Sequence, residues 1–438
     1  MKQTHRFIAA ALIAVMLSLS LPVLSLAAVP VRSDPGTAEY NFFDVLSVMF
    51  FLESEDESGV KNGTKMFGSN YDMGDPETWT VLLGEDGDYY YQGFFFEEVE
   101  GELRLTTVLC GEFDLVGWLT LDGCSELLLV DCSYNKLNSV SVLDCPKLET
   151  LNMQDNKNIT ELDVSECPAL NWLQCYYCGI TELDLTYNPE LEFLEMEGNP
   201  VGTLDLSSCP KLWYLMCENC GLTELDLSNN PDLMFLNCGL NDISALDLSK
   251  NTKLLSLNCD LTLLTELDVS ACVRLAQLQC VYNDIKDLDL RNNDLMLDKI
   301  SAEGHGSIGC AIGSEWDGSS YFVDAYPEDG FDFLGWYDEQ GDLLSTAARW
   351  YLTDGDFGTV IARFTGADEP GPGPEPTPVI GDVDGDGEVT LVDALIILRA
   401  AMGLVELTPE QEALADFNGD GTVNSEDALL VMRLAMGL

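Results

Sequence analysis

Basic residues are scarce in this 438-residue chain: 20 Lys plus Arg stand against 76 Asp plus Glu, a formal net charge of −56. So acidic a protein is repelled by phosphate backbones and anionic bilayer surfaces, which excludes nucleic acids and basic-patch lipid binding as its business. The excess favours cations instead. Histidine is nearly absent, with His5 and His305 alone, and this argues against His-dependent catalysis or a His-rich metal site. No second long apolar stretch follows the one at the N-terminus, and no Cys stands at a lipidation position. Hydrophobic residues still make up 46% of the chain and aromatics 9%, so real cores can be buried and the acidity does not imply disorder. The length suits two to four domains.

Lys2 and Arg6 precede an apolar run from Phe7 to about Leu21, followed by small residues around Ser25, Ala27 and Ala28. This pattern predicts a secretory signal over 1–28, because Pro22 interrupts the run and no basic cluster follows it as an anchor would require. The mature chain is therefore expected to be secreted and extracellular, with no membrane insertion after cleavage and His305 as its single imidazole.

Between about Leu105 and Ile300 the sequence repeats with a period of 21. Leu-Asp pairs begin at Leu162, Leu183, Leu204, Leu225, Leu246, Leu267 and Leu288. One unit reads Leu-x-x-Leu-x-Cys-x-x-Asn-x-Leu-x-x-Leu-Asp-Leu-Ser-x-Asn-Pro-x, as from Leu233 through Leu248, and earlier copies run back to Leu105 with one-residue insertions. This resembles the leucine-rich repeat family in its short bacterial form. A unit this short cannot bury its own leucines, so the units must stack into a solenoid whose strands form a parallel sheet.

The repeat accounts for fourteen of the 15 cysteines. Cys110, Cys132, Cys175, Cys217, Cys238, Cys259 and Cys280 fall at the inward strand position, with Met153 and Met196 in the same column. Cys124, Cys145, Cys167, Cys209 and Cys272 alternate with Asn in the column before Pro, and Cys178 and Cys220 replace the ladder Asn. Free, packed thiols are expected, since Cys behaves as a small hydrophobe. Neighbouring coils ~4.8 Å apart do not forbid bridges on distance alone.

Two outward columns are candidates for function. Trp172, Phe193, Tyr214 and Phe235 occupy one solvent-facing strand position in four consecutive repeats, with Tyr176 nearby. Such a strip can stack on sugar rings, anchor a protein partner, or simply stabilise the sheet by cross-strand stacking. The second column is the Asp of each pair: Asp163, Asp184, Asp205, Asp226, Asp247, Asp268 and Asp289. These acids are expected to accept hydrogen bonds from nearby Thr, Ser or backbone donors, with counter-ion binding as the rival reading.

Residues 29–104 are acidic and aromatic-rich, with a helix expected over Asn41 to Leu52 and strands over Trp79 to Phe95, and they are read as the N-terminal cap of the solenoid at 105–300. Residues 301–366 break the repeat and become strand-like. Their runs Phe333-Leu334-Gly335-Trp336-Tyr337 and Val360-Ile361-Ala362-Arg363-Phe364 resemble a small internalin-type β-repeat, which implies a separate spacing or adhesion domain. His305 lies between two glycines and reads as a turn residue. A Pro-rich stretch over 367–379 predicts a stiff tether.

The strongest chemistry lies in 380–438. Asp382, Asp384 and Asp386 precede Gly387, with Glu388, Thr390 and Asp393 beyond it. The pattern returns as Asp416, Asn418, Asp420, Gly421, Thr422, Asn424 and Asp427. Calcium takes six to eight oxygens, and this spacing is that of an EF-hand loop with Gly at its sixth position, Glu388 and Thr422 offering backbone carbonyls. Two Ca2+ ions are expected. The duplicated loop and helix, Asp393 to Leu404 against Asp427 to Leu438, resembles a dockerin. The resemblance implies docking onto a cohesin of a scaffoldin, with recognition at Leu391 and Val392 and at Ser425 and Glu426. Arg399 and Arg433, the only basic residues of the module, are further contact candidates.

The sequence therefore predicts a multi-domain protein: a mainly β and irregular leucine-rich-repeat solenoid, a small β domain and an all-α calcium-binding dockerin. The implied function is that of a secreted, non-catalytic accessory component of a cellulosome-like polysaccharide-degrading complex. Its solenoid would bind a glycan, a cell-wall component or a protein. A dockerin-borne glycoside hydrolase and a cell-surface adhesin are the alternatives, and every segment already has a non-catalytic assignment.

Overall fold

A computed structural model describes residues 38–85, 88–293, 297–312, 322–352, 358–365, 380–384, 389–405, 407–419 and 421–435. The expected signal segment, the Pro-rich tether, Asp386, Glu388 and Asp420 lie outside the described residues. The chain divides into two compact units after Gly366.

The first unit is a leucine-rich-repeat solenoid. Each coil contributes one three-residue strand to the parallel sheet: Leu129–Asp131, Thr150–Asn152, Trp172–Gln174, Phe193–Glu195, Tyr214–Met216, Phe235–Asn237, Ser256–Asn258 and Gln277–Gln279. These pair in parallel and in register, with Leu173, Leu194, Leu215, Leu236, Leu257 and Leu278 aligned across the sheet. Those leucines point inward and are fully or almost fully buried. The period of 21 holds this register: slippage by one residue would turn every leucine to solvent.

Behind the strands the chain leaves the sheet through a left-handed residue in every coil: Tyr134, Asp155, Tyr177, Gly198, Asn219, Leu240, Leu261 and Tyr282, with φ between 50° and 70°. The first seven amides donate to carbonyls of the next coil, as Leu240 N does to Asp260 O (2.9 Å) and Leu261 N to Val281 O (3.0 Å), and that of Tyr282, in the last coil, donates to the Tyr326 hydroxyl (3.2 Å). The ladder residue comes next. Asn135, Asn156, Asn199, Asn241 and Asn283 each satisfy backbone groups of two coils. At Cys178 and Cys220 a thiol takes over the donor role, reaching Met153 O and Met196 O, both at 3.3 Å.

All 15 cysteines are free and buried. Burial pushes the thiols up, to about 11 at Cys178, Cys209 and Cys272 and to about 12 at Cys167, Cys220 and Cys238. Cys310, the one cysteine outside the repeat, caps the inward column with its sulfur 3.6 Å from that of Cys280.

Both ends of the parallel sheet are covered. At the first coil, strand Glu102–Leu109 pairs in parallel with Leu129–Asp131 and antiparallel with Asp88–Val99, which pairs with Thr80–Glu85. Helix α1 (Phe42–Leu52), capped by the Asn41 side chain, lies against this end. Its buried Asp44 accepts from Arg104 Nε (2.8 Å) and Leu105 N (2.9 Å). Helix α2 (Asn62–Phe67) follows.

At the far end, the described strands between 297 and 365 fall in the same compact unit as the solenoid. Strand Gly306–Ile312 pairs antiparallel with the last coil strand, Gln277–Gln279, and carries Phe322–Pro327 and Arg349–Tyr351 beyond it. A second sheet joins Asp287–Asp289 of the last repeat to Leu297–Glu303, Gly358–Phe364, Phe333–Tyr337 and Leu343–Ser345. The reason is physical, because an uncovered last coil would expose both apolar core and unpaired strand-edge groups.

The second unit holds helices α3 (Leu391–Ala401), α4 (Pro409–Ala415) and α5 (Ser425–Ala435). Its small core comprises Val383, Ala394, Ile397, Ala415, Ala428 and Val431. Capping boxes start α3 at Thr390 and α4 at Thr408.

Candidate functional sites: a solenoid groove and paired calcium-type loops

The aromatic strip assembles as the register predicts, but its rings face one another. Trp172 and Phe193 stack with centroids 3.6 Å apart and planes 5° apart, and Phe193 and Tyr214 with 4.2 Å and 8°. Phe235 tilts against Tyr214 at 5.8 Å. Phe193 is thus buried, and Trp172 and Tyr214 each give one face to it. The row presents mostly ring edges, whereas stacking on a sugar requires open ring faces.

Beside the strip a groove of about 670 Å³ is lined by Tyr176, Tyr177, Glu195, Glu197, Tyr214 and Met216, among others. Tyr176 and Tyr177 meet edge to face at 5.5 Å, and the Tyr176 hydroxyl lies 2.9 Å from that of Tyr134. Tyr177 rests on Gly198, where a Cβ would fall 2.5 Å from the ring. Glu195 accepts from Gln174 Nε2 (2.7 Å), and Glu218 of the next coil accepts from Asn237 Nδ2 (2.7 Å). Glu197 differs from both, because its Oε2 is buried and meets no donor. Burial, against the lowering pull of its own backbone amide and with the like charges of Glu195 and Glu218 adding to the rise, pushes its carboxyl up to about 7. The sequence reading missed Glu195 and Glu197; their signal was the outward spacing two and four residues beyond Phe193.

The Leu-Asp column is internally satisfied. Asp163, Asp184, Asp205, Asp226, Asp247 and Asp268 each accept, at 2.9 Å, the amide of the Ser or Thr two residues on. Asp289 likewise takes the Arg291 amide at 3.1 Å and its guanidinium. The hydroxyls of Thr186, Ser207, Ser228 and Ser270, helped by those amides, hold Asp184, Asp205, Asp226 and Asp268 below the ordinary carboxylate range. The column needs no counter-ion to explain it.

In the second unit both loops close on a buried carboxylate at the start of a helix. Asp393 Oδ1 accepts from Val383 N (2.7 Å) and Asp384 N (3.1 Å), and its Oδ2 from Thr390 N (2.7 Å) and Thr390 Oγ1 (3.0 Å). Asp427 repeats this with Asn418 N (3.1 Å) and Asn424 N (3.0 Å). Asp416 accepts from the amide of Gly421 at 2.8 Å, and Gly421 has φ +87°. Oxygens of Asp382, Asp384 and Asp393 lie within 4.8 Å of one another. Two oxygens coordinating one calcium at 2.3–2.6 Å can be up to ~5 Å apart, so this all-oxygen set suits that hard cation. Thr422 and Asn424 lie on the second loop near Asp427, while Asp386, Glu388 and Asp420 are outside the described residues.

Of the residues assigned to partner recognition, Leu391, Ser425 and Arg433 are exposed, and Val392 and Arg399 are half-buried; the Glu426 side chain is outside the description. Leu391 and Ser425 begin α3 and α5, and Arg399 and Arg433 lie in their last turns.

A family model, the dockerin type I domain, matches residues 380–434. The C-terminal unit carries a dockerin type I domain. Such domains bind calcium and imply a cohesin partner. Solved structures similar to the chain include the functional domain of InlJ from Listeria monocytogenes, described as including a cysteine ladder. It is 32% identical with a TM-score of 0.38, covering 40% of this chain and 39% of that one. An internalin of the same organism is 18% identical (TM-score 0.31, 37% and 56%). A leucine-rich-repeat protein of Leptospira interrogans is 18% identical (TM-score 0.31, 42% and 63%). The chain thus spans less than two thirds of each of these relatives. No curated protein matches it. Dockerins and leucine-rich repeats are non-catalytic domain types. No helix among the described residues is long and apolar enough to cross a membrane.

Proposed function

We propose that this chain is a secreted, non-catalytic component of a cellulosome-type assembly, held there by its dockerin and displaying the solenoid as a protein-binding surface. The observation that carries the reading is the duplicated loop and helix within the dockerin match, each loop closed by a buried carboxylate, Asp393 or Asp427. Asp382, Asp384, Asp386, Glu388, Thr390 and Asp393 would hold one Ca2+, and Asp416, Asn418, Asp420, Thr422, Asn424 and Asp427 a second. When bound, the ions neutralise converging carboxylates and fix each loop. The chain's own Asp393 and Asp427 draw the loop amides onto the helix starts. The first turns of α3 and α5, with Leu391, Val392, Ser425 and Glu426, then offer a preorganised face to the cohesin, and Arg399 and Arg433 add positive charge at the opposite helix ends. Differing residues at the two starts make the two faces unequal.

For the solenoid, the mutual stacking of Trp172, Phe193 and Tyr214 supports a protein ligand over a glycan, because it leaves few ring faces for sugar stacking. Polysaccharide degradation would enter through the enzymes of the assembly. The test is a cohesin-array pull-down of the full chain, with calcium or chelator, alongside Asp382→Ala and Asp416→Ala. Capture that is lost on chelation and in the double variant supports the reading. Capture indifferent to calcium refutes it.

A further inference from the structure

We propose that the groove between Tyr176, Tyr177, Glu195, Glu197, Tyr214 and Met216 is a socket for the lysine or arginine side chain of a partner protein. The inference rests on the solenoid's being a protein-binding surface and names the chemistry that it recognises.

The groove combines three features. Its acids are uncompensated: no outward position of the coil strands from Leu129 to Gln279 holds Lys or Arg. Glu195 and Glu218 have amide partners, whereas Glu197 Oε2 is shut away from water without a donor. A group that is costly to bury as an anion persists more readily where a ligand supplies the missing positive charge. Second, the end of the groove at the acids is walled by tyrosines, while its far end runs over Asn258, Gln277 and Gln279. Tyr176 and Tyr177 form a right-angled corner, held by the Tyr134 hydroxyl and by the bare Cα of Gly198. Rings beside carboxylates attract an organic cation, through both charge and ring quadrupole, rather than a metal ion, which takes an oxygen cage. Third, Met216 and the Tyr214 ring line the groove alongside the acids. An amphipathic side chain suits this arrangement, with its methylene stem on the apolar wall and its charged head at Glu197. An amino sugar lacks such a stem, and the strip offers it little ring face.

The carboxyl of Glu197 near neutrality adds a signature. The charged and titratable groups around it are Glu195 on its own coil, Tyr176, Tyr177 and Cys175 on the preceding coil, and Tyr214, Cys217, Glu218 and Cys220 on the next, the thiols all raised by burial. Burial pushes the Tyr176 and Tyr214 hydroxyls up, away from the pH range in which Glu197 titrates, so Glu197 sets the response. Binding a cation requires its anion, and affinity should rise from pH 6 to pH 8 with proton release on binding.

The experiment uses the full calcium-loaded chain at about 0.15 M salt, where surface attraction is screened beyond about 8 Å. The probes are a fluorescein-labelled tetralysine peptide, the same peptide with every ε-amine acetylated, and a chitosan tetramer, with affinity read by anisotropy and competition. Glu197→Gln removes one charge of 76 and should weaken tetralysine by about tenfold or more, as loss of a buried charge partner does. Glu195→Gln should weaken it less, and Glu161→Gln, on the Leu-Asp side, should leave it unchanged. The rise with pH should vanish in Glu197→Gln. Equal loss in Glu161→Gln, or none in Glu197→Gln and Glu195→Gln, would overturn the socket. Tighter groove-dependent binding of the chitosan tetramer would overturn the protein source. If the acetylated peptide binds as tightly and still depends on Tyr176, the protein-binding surface stands and the cation socket falls. Cohesin capture by each variant reports an intact dockerin, and its thermal unfolding an intact solenoid.

Discussion

Replacing Asn241 with Ala should be among the most destabilising single changes in the solenoid, and replacing it with Cys markedly milder. The amide is 2% exposed. Its Nδ2 donates to Cys217 O (2.8 Å), Cys238 O (3.0 Å) and Gly239 O (3.1 Å), and its Oδ1 accepts from Cys220 N and Leu222 N, both at 3.0 Å. Alanine leaves these backbone groups buried without that partner. At about 1–3 kcal/mol for each orphaned group, with the coils relaxing around some of them, the loss should be about 3–6 kcal/mol. Cysteine keeps one donor. The thiols of Cys178 and Cys220 hold the same column position and reach the equivalent carbonyl, so Asn241→Cys should cost about half as much. Guanidinium denaturation followed by tryptophan fluorescence suits the question, since all 7 Trp precede the dockerin and report on the solenoid unit alone. Equal destabilisation by Ala and Cys would show that volume, rather than the hydrogen-bonded ladder, holds the coils. A loss under about 1 kcal/mol in both, no more than one ordinary hydrogen bond, would refute the ladder argument altogether.

Glu197 should make the solenoid less stable as pH rises. Its carboxyl titrates near 7 when folded and near 4.5 when unfolded. Between those values the folded state binds more protons, so stability falls with pH by about 1–3 kcal/mol in all after discounting for the part of the group that stays wet. Denaturation midpoints at pH 5 and pH 8 should converge in Glu197→Gln, and an unchanged pH slope would contradict the burial argument. All fifteen thiols should resist DTNB in the native chain and react on denaturation; rapid native labelling would contradict free, packed columns. In scanning calorimetry, calcium at 1,000 times its dissociation constant should stabilise the dockerin transition by about 4 kcal/mol per site and leave the solenoid transition unmoved. Asp393→Ala should lower the dockerin transition even in saturating calcium, because that carboxylate holds Val383 N, Asp384 N and Thr390 N as well as belonging to the ligand set. Recovery to wild-type stability in excess calcium would limit Asp393 to metal binding.

The amino-acid sequence by itself determined the solenoid, its inward leucine and cysteine columns and the paired loops of the dockerin. Each is written in spacing: 21 residues for a coil, and alternate oxygens with a glycine for a calcium loop. Spacing decides which side of a strand a residue takes, and so it placed Trp172, Phe193, Tyr214 and Phe235 in one row. It could not decide where the rings turn. That depended on side-chain packing across adjacent coils, which closed Phe193 between its neighbours and converted a candidate sugar platform into a row of ring edges. Tertiary structure alone also put Leu240 and Leu261 in the left-handed region, where their own preference opposes them and the carbonyl of the next coil holds their amides. Only there did Cys310, outside the repeat, reach the inward column, and did the strands after 301 become the solenoid's cover. Glu197 is the sharpest case: its outward position follows from the repeat, but its shortage of donors arises from three coils packing together, and no local pattern encodes that.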